Sequence, residues 1–189
     1  KISHCLNDLL HRSETGGLAV EIVGVISNHS DLEHMAARYQ IPFHHLPVDS
    51  SNKEQQEKQV QDIAKKEKVD LIVLARYMQI LSPAFIEKHR GKIINIHHSF
   101  LPSFKGANPY QQAFDRGVKI IGATAHYATE DLDEGPIIEQ EVTRADHSYS
   151  PEHLRDLGRD NECVVLARAV EYHTQHRVLL NGKKTVVFK

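Results

Sequence analysis

The sequence predicts an α/β fold: a mostly parallel, twisted, Rossmann-like sheet with helices on both faces and a C-terminal hairpin. Three observations carry this. Apolar periodicity along the 189 residues switches repeatedly between about 2 and about 3.6. Short β-branched runs alternate with polar, amphipathic stretches of about ten residues, the pattern of βαβ units. Helix-start signals (Ser82-Pro83, Ser150-Pro151) and turn signals (Gly117, Asn181-Gly182) fall between the runs.

The elements follow in order. Ser3–His11 sets Leu6, Leu9 and Leu10 on one side and reads as a helix. Leu18–Ser27 (LAVEIVGVIS) is a β-branched run closed by Asn-His-Ser and reads as a buried strand. Asp31–Tyr39 reads as a helix capped by Ser30 or Asp31, and Pro42–Val48 as a short strand. Lys53–Lys68 is a polar helix whose inward face is Val60, Ile63 and Ala64. Asp70–Ala75 is a second buried strand, Ser82–His89 a helix with proline at its first position, and Lys92–His97 a third strand. Asn108–Arg116 is a helix stopped by Gly117. Lys119–Ala128 and Pro136–Thr143 are strands, and this strand-rich stretch implies an antiparallel edge. Ser150–Thr174 is a long helix, and Val178–Leu180 with Thr185–Phe188 forms the hairpin. No repeat or long linker divides the chain, so residues 1–189 are expected to form one domain.

Composition narrows the function classes. Hydrophobic residues make up 40% and charged residues 25%, an ordinary globular balance. A chain this long buries about two thirds of its unfolded surface and needs neither disulfides nor a structural metal to fold. A net charge of −2 argues against a basic nucleic-acid-binding surface. The two cysteines, Cys5 and Cys163, make no disulfide framework and fit a reducing, cytoplasmic setting. Apolar runs fall short of the about 20 residues that cross a bilayer, and the first residues lack the apolar core of a signal peptide. Neither nucleic acid nor membrane is an expected partner.

In such sheets ligands bind outside the carboxyl ends of the strands, which directs attention to the loops after Ala75, His97 and Ala128. Asn95 and His97 are i and i+2 on a strand, so both side chains share a face. An amide NH₂ beside an imidazole offers two donors to a carbonyl oxygen that becomes negative. The acids that could join them are Glu130, Asp131, Asp133 and Glu134. Asp133 is best placed, because Gly135-Pro136 turns the chain back into a strand just after it. This points to carbonyl chemistry without a covalent nucleophile, since Ser99 lacks a strained elbow and neither cysteine lies in these loops. The residues also have plain structural readings: Met78, Ile80 and Leu81 as core, the acidic run as a solvated loop, His126 as a buried strand histidine. A metal is the competing use of the 14 histidines. His44, His45, His97, His98, His126, His147 and His153 show no ligand spacing, and adjacent histidines on a strand point to opposite faces. No metal is expected.

The string Asn95-Ile96-His97-His98-Ser99-Phe100-Leu101-Pro102-Ser103-Phe104-Lys105-Gly106 resembles the signature of the formyltetrahydrofolate-processing family, N-I-H-x-S-x-L-P-x-x-x-G. Three further blocks resemble that family in order and spacing: Leu74–Pro83, Gly122–Tyr127 and Asp131–Ile138. The likeness therefore spans nearly the whole chain. The His-His-Ser-Phe-Leu-Pro form resembles the deformylase branch, whereas glycinamide ribonucleotide formyltransferases usually carry proline at the position of His98. Those transferases also hold a phosphorylated acceptor on a glycine-rich turn, and Ser3–Asp8 has no glycine.

The resemblance implies a formyltransferase-like fold and hydrolysis of 10-formyltetrahydrofolate to formate and tetrahydrofolate. The alternative is transfer of the formyl group to glycinamide ribonucleotide by the same residues. Carried over position by position, Asn95, His97 and Asp133 match the catalytic trio. Asn95 would donate to the formyl oxygen. His97, as imidazolium, would stabilise the oxyanion and assist the leaving nitrogen. Asp133 would position and deprotonate the water or pair with His97. Substrate contacts are implied for Arg76, Met78, Ile80, Leu81, His126, Thr129, Glu130 and Asp131. No cofactor beyond the folate substrate is implied, and a homo-oligomer is expected. The family's fold opens with a strand before the first helix, and its deformylases commonly carry an amino-terminal ACT-type regulatory domain. Both are expected to be absent from these 189 residues, which read as the catalytic domain alone.

Overall fold

The structure is a computed structural model and describes residues 2–102 and 109–189. Ser103, Phe104, Lys105 and Gly106 of the signature, and Asn108 at the expected helix start, lie outside the described residues. The elements begin α1 (His4–Glu14), β1 (Val25–Ser27), α2 (Glu33–Arg38), β2 (Phe43–His45), α3 (Lys53–Lys66), β3 (Ile72–Leu74), α4 (Pro83–Lys88) and β4 (Ile93–His97). They continue with α5 (Pro109–Asp115), β5 (Ile120–Tyr127), β6 (Ile137–Arg144), α6 (Pro151–Thr174), β7 (Val178–Asn181) and β8 (Lys184–Val187).

The central sheet runs β3-β4-β5-β6. β3 and β4 are parallel; β5 and β6 join antiparallel, so the antiparallel edge is two strands wide. β1 and β2 form a separate parallel pair, and β7-β8 is the expected hairpin, with Gly182 at φ 62 in its turn. Ser82 and Ser150 cap α4 and α6 as their Ser-Pro signals predict, each hydroxyl accepting from the backbone N–H of the third residue on.

β4 divides two cores by alternation. Ile94 and Ile96 pack with α1 and α6 side chains such as Leu9, Val165, Leu166 and Val170. Ile93 packs on the other face with Leu81, Phe85 and Ile86. Burying each such side chain contributes about 1.5–3 kcal/mol. Asn95 and His97 share the parity of Ile93, so both leave the sheet on the α4 side.

Three expectations are corrected. The run Leu18–Ser27 is strand only over Val25–Ser27. Its apolar residues face an open cleft of about 1480 Å³, lined by Val20, Ile22 and Val25 on one side and Leu71 and Val73 on the other. Without a neighbouring edge there, β propensity alone makes no strand. The cap of α2 is Leu32, not Ser30 or Asp31; Ser30 contributes its carbonyl, which accepts from Glu33 N at 3.0 Å. The inward face of α3 includes Gln56 and Glu57 beside Ala64. Gln56 donates to the Leu46 carbonyl at 3.1 Å. The Glu57 carboxylate accepts from Ser82 N at 2.9 Å and from the Ser82 hydroxyl. That buried acid ties α3 to the start of α4 and to the end of the loop after β3.

Candidate active site

Asn95 and His97 stand at the end of β4, paired in register with His126 and Thr124 of β5. Asn95 Nδ2 lies 3.3 Å from His126 Nε2. His126 Nδ1 lies 2.9 Å from the Tyr127 carbonyl, which only accepts, so Nδ1 carries the proton. Nε2 then accepts from the Asn95 amide. One Asn95 N–H is thereby oriented and the other stays available. The next turn is pinned from β5 and β6. Thr124 Oγ1 donates to the Ser99 carbonyl at 2.9 Å and accepts from Leu101 N at 3.0 Å. Gln140 Nε2 donates to the Leu101 carbonyl at 3.0 Å.

The acid is Asp133. Its Oδ2 lies 3.2 Å from His97 Nδ1, and its Oδ1 lies 3.6 Å from His126 Nε2. The His126 and His97 rings set against its two oxygens hold the Asp133 carboxyl well below the usual carboxylate range, against the opposing effect of burial. The contact to His97 is the shorter. It places the proton on Nδ1 and leaves Nε2, buried and without a partner among the described residues, as the working nitrogen. Asp133 has φ 58, a left-handed conformation that aspartate tolerates better than most residues. Two residues later Gly135 makes this possible. A Cβ there would meet the Tyr127 carbonyl oxygen at 1.7 Å, so the loop returns along β5 only as glycine.

The other expected contacts divide. Glu130 and Asp131 are exposed, and the Asp131 carbonyl accepts from Thr129 Oγ1 at 3.0 Å. Asp133, not Asp131, therefore meets the histidines. Met78 and Ile80 are exposed, while Leu81 is buried in the core with Phe85 and Ile93. Arg76, at φ 55, acts electrostatically on His98, Tyr110 and Glu162. The large cleft touches Arg76, Tyr77, Met78, Gln79 and Leu81 but none of the trio.

Sequence reasoning missed a buried group on the α1 and α6 side. His4 Nε2 pairs with Glu162 Oε2 at 2.7 Å, and Tyr110 OH donates to Glu162 Oε1 at 3.1 Å. Burial raises the Glu162 carboxyl, but His4, Arg76 and Tyr110 outweigh it and leave the group below its ordinary value. The one local signal was Gly158 inside α6, whose Cβ would meet Tyr110 OH at 2.0 Å. Cys5 joins His4 and Glu162 with potential ligand atoms within 4.8 Å of one another, a grouping that no spacing rule reveals. The expectation that His97 and His98 point to opposite faces is also corrected. β4 ends at His97, and the two rings stack with centroids 4.7 Å apart.

The family model described as formyl transferase matches residues 1–170. A protein of Corynebacterium sp. (strain P-1) named formyltetrahydrofolate deformylase is 51% identical over 189 residues. The alignment covers 100% of this chain and 66% of that protein, so the chain spans just under two thirds of that relative. The crystal structure of formyltetrahydrofolate deformylase from Burkholderia mallei superposes with TM-score 0.96 at 56% identity, covering 100% of this chain and 67% of that one. Glycinamide ribonucleotide transformylase 1 from Symbiobacterium toebii superposes with TM-score 0.91 at 27% identity, covering 99% and 90%. The fold is thus formyltransferase-like, as the signature implied.

Proposed function

The chain belongs to the formyl transferase family, and from that premise we propose that it hydrolyses 10-formyltetrahydrofolate to formate and tetrahydrofolate. The observation that carries this reading is the meeting of Asp133 with His97 at 3.2 Å beside the oriented amide of Asn95. Its choice over the transferase alternative rests on likeness. Deformylases stand at 51% and 56% identity, the transformylase at 27%.

In this reading one Asn95 N–H donates to the formyl oxygen. His97 Nε2 takes a proton from water as the water oxygen bonds to the formyl carbon. The negative charge that forms on the formyl oxygen is held by the Asn95 amide. Asp133 stabilises the imidazolium through Nδ1. His97 then returns the proton to the folate nitrogen as the carbon–nitrogen bond breaks. Met78 and Ile80 offer apolar contacts to the pterin ring, and the backbone of residues 129–131 offers polar ones. Arg76 and Glu130 complete the proposed substrate contacts; His126, buried with both ring nitrogens engaged, orients Asn95 instead. No cofactor beyond the folate is required.

The wider setting is part of the same proposal: a cytoplasmic homo-oligomer whose formate supplies purine biosynthesis. Among the described residues no helix is long and apolar enough to cross a membrane. Residues 1–189 are read as the catalytic domain. The open cleft between β1 and β3 fits the opening strand of the family. The test is formate release from 10-formyltetrahydrofolate with and without glycinamide ribonucleotide. Release without acceptor is expected; turnover that requires the acceptor overturns the proposal.

A further inference from the structure

His98 stands beside the proposed base, its ring stacked on that of His97 at 4.7 Å and 26°. His97 Nε2, His98 Nε2 and Ser99 Oγ are all buried and have no hydrogen-bond partner among the described residues. Protein interiors seldom leave buried polar atoms unpaired, so three on consecutive residues leave unused hydrogen-bonding capacity beside the proposed base. We propose that His98 holds the attacking water, presenting it to His97 Nε2; this inference rests on the hydrolytic reading above.

The ring is suited to accept. Burial, followed by the charges of His97 and Arg76, pushes His98 down to about 4, so it is neutral near pH 7 and keeps a lone pair. One water proton then points to His98 and the other to His97, each over about 2.8 Å. The side of His98 toward α6 is walled by Tyr110, whose ring lies 6.5 Å away and whose hydroxyl is tied to Glu162. Gly158 leaves the space that Tyr110 occupies. The wall is fixed by its buried hydrogen bond to Glu162.

The experiment compares wild type, His98→Phe and His98→Asn in steady-state formate release, with thermal unfolding as the control for folding. Phenylalanine keeps the stacked ring and removes the acceptor; asparagine restores an acceptor oxygen. Removing the group that places one reactant lowers kcat on the order of 10²-fold, and KM for the folate is expected to stay within about twofold. Asparagine is expected to recover part of the loss. Hydroxylamine, a nucleophile that needs no such holder, is expected to restore formyl release by His98→Phe. Its nitrogen bonds to the formyl carbon, the folate nitrogen leaves with a proton, and formohydroxamate forms with tetrahydrofolate. A folded His98→Phe with wild-type kcat overturns the inference, as does a raised KM with unchanged kcat. If His98→Phe does not fold, a folded His98→Asn decides: intermediate kcat supports the inference, and a loss as large as that of His97→Ala overturns it. Wild type that releases no formate overturns the hydrolytic reading and the role of His98 with it.

Discussion

Asp133 Oδ2 lies 3.2 Å from His97 Nδ1, although the two residues leave the sheet on different loops. The contact decides which nitrogen of His97 works. Nδ1 donates to the carboxylate, so Nε2 faces the reacting group, as in other sites where an acid fixes an imidazole tautomer. His126 does the same for Asn95, through a ring whose Nδ1 is anchored on the Tyr127 carbonyl. The carbonyl chemistry therefore rests on two oriented side chains and one acid that pairs with His97 and lies against His126.

Asp133→Ala is expected to lower kcat for formate release on the order of 10²-fold or more, with a small change in KM. The imidazolium formed at His97 loses its counter-charge and its fixed tautomer. Asn95→Ala is expected to lose a similar factor, by removing the donor to the oxyanion. Steady-state kinetics checks both; losses under threefold contradict the assigned roles.

Gly135→Ala is expected to damage both fold and site. The new Cβ would sit 1.7 Å from a backbone carbonyl oxygen, a clash only backbone movement relieves. Destabilisation above about 2 kcal/mol is expected, at the severe end for single substitutions. Denaturant unfolding measures it. Formate release by the folded fraction should fall as well, because Asp133 moves with the loop.

His98 predicts a pH dependence of stability. Its folded pKa is pushed down to about 4 by burial first, while the unfolded ring titrates near its ordinary 6.5. Between these values the unfolded chain binds more protons, so stability is full above 6.5 and falls as pH drops toward 4. His98→Phe should lose less Tm between pH 7 and pH 5 than wild type. Two partly buried histidines, His89 and His173, shift the same way and remain in both proteins, so the difference isolates His98.

Glu57→Gln is expected to destabilise by about 1–3 kcal/mol, the range for hydrogen bonds to a buried charged group. The amide keeps one acceptor oxygen, whereas the carboxylate serves both Ser82 N and the Ser82 hydroxyl. Urea unfolding checks the stability. An unchanged midpoint would mean the buried acid is replaceable.

The sequence made the element order readable, because Ser-Pro starts, Gly117 and Asn181-Gly182 are local signals that act within a turn or two. The pairing of Asn95 with His97 was equally local, following from strand period. Glu57 was within reach: it lies three residues before Val60 on the same helical face, but its charge hid its burial. The His4–Glu162 pair joins positions 158 apart and left only the odd placement of Gly158 as a trace. The truncated first strand failed for a different reason. Val20 and Ile22 are strand-forming residues, and a strand also needs a neighbour.

The most direct measurement is a single turnover of 10-formyltetrahydrofolate in water enriched with oxygen-18, with formate and tetrahydrofolate read by mass spectrometry. The proposed chemistry predicts one labelled oxygen in each formate released, formed without any added amine. Unlabelled formyl groups recovered only on an amine acceptor would contradict it.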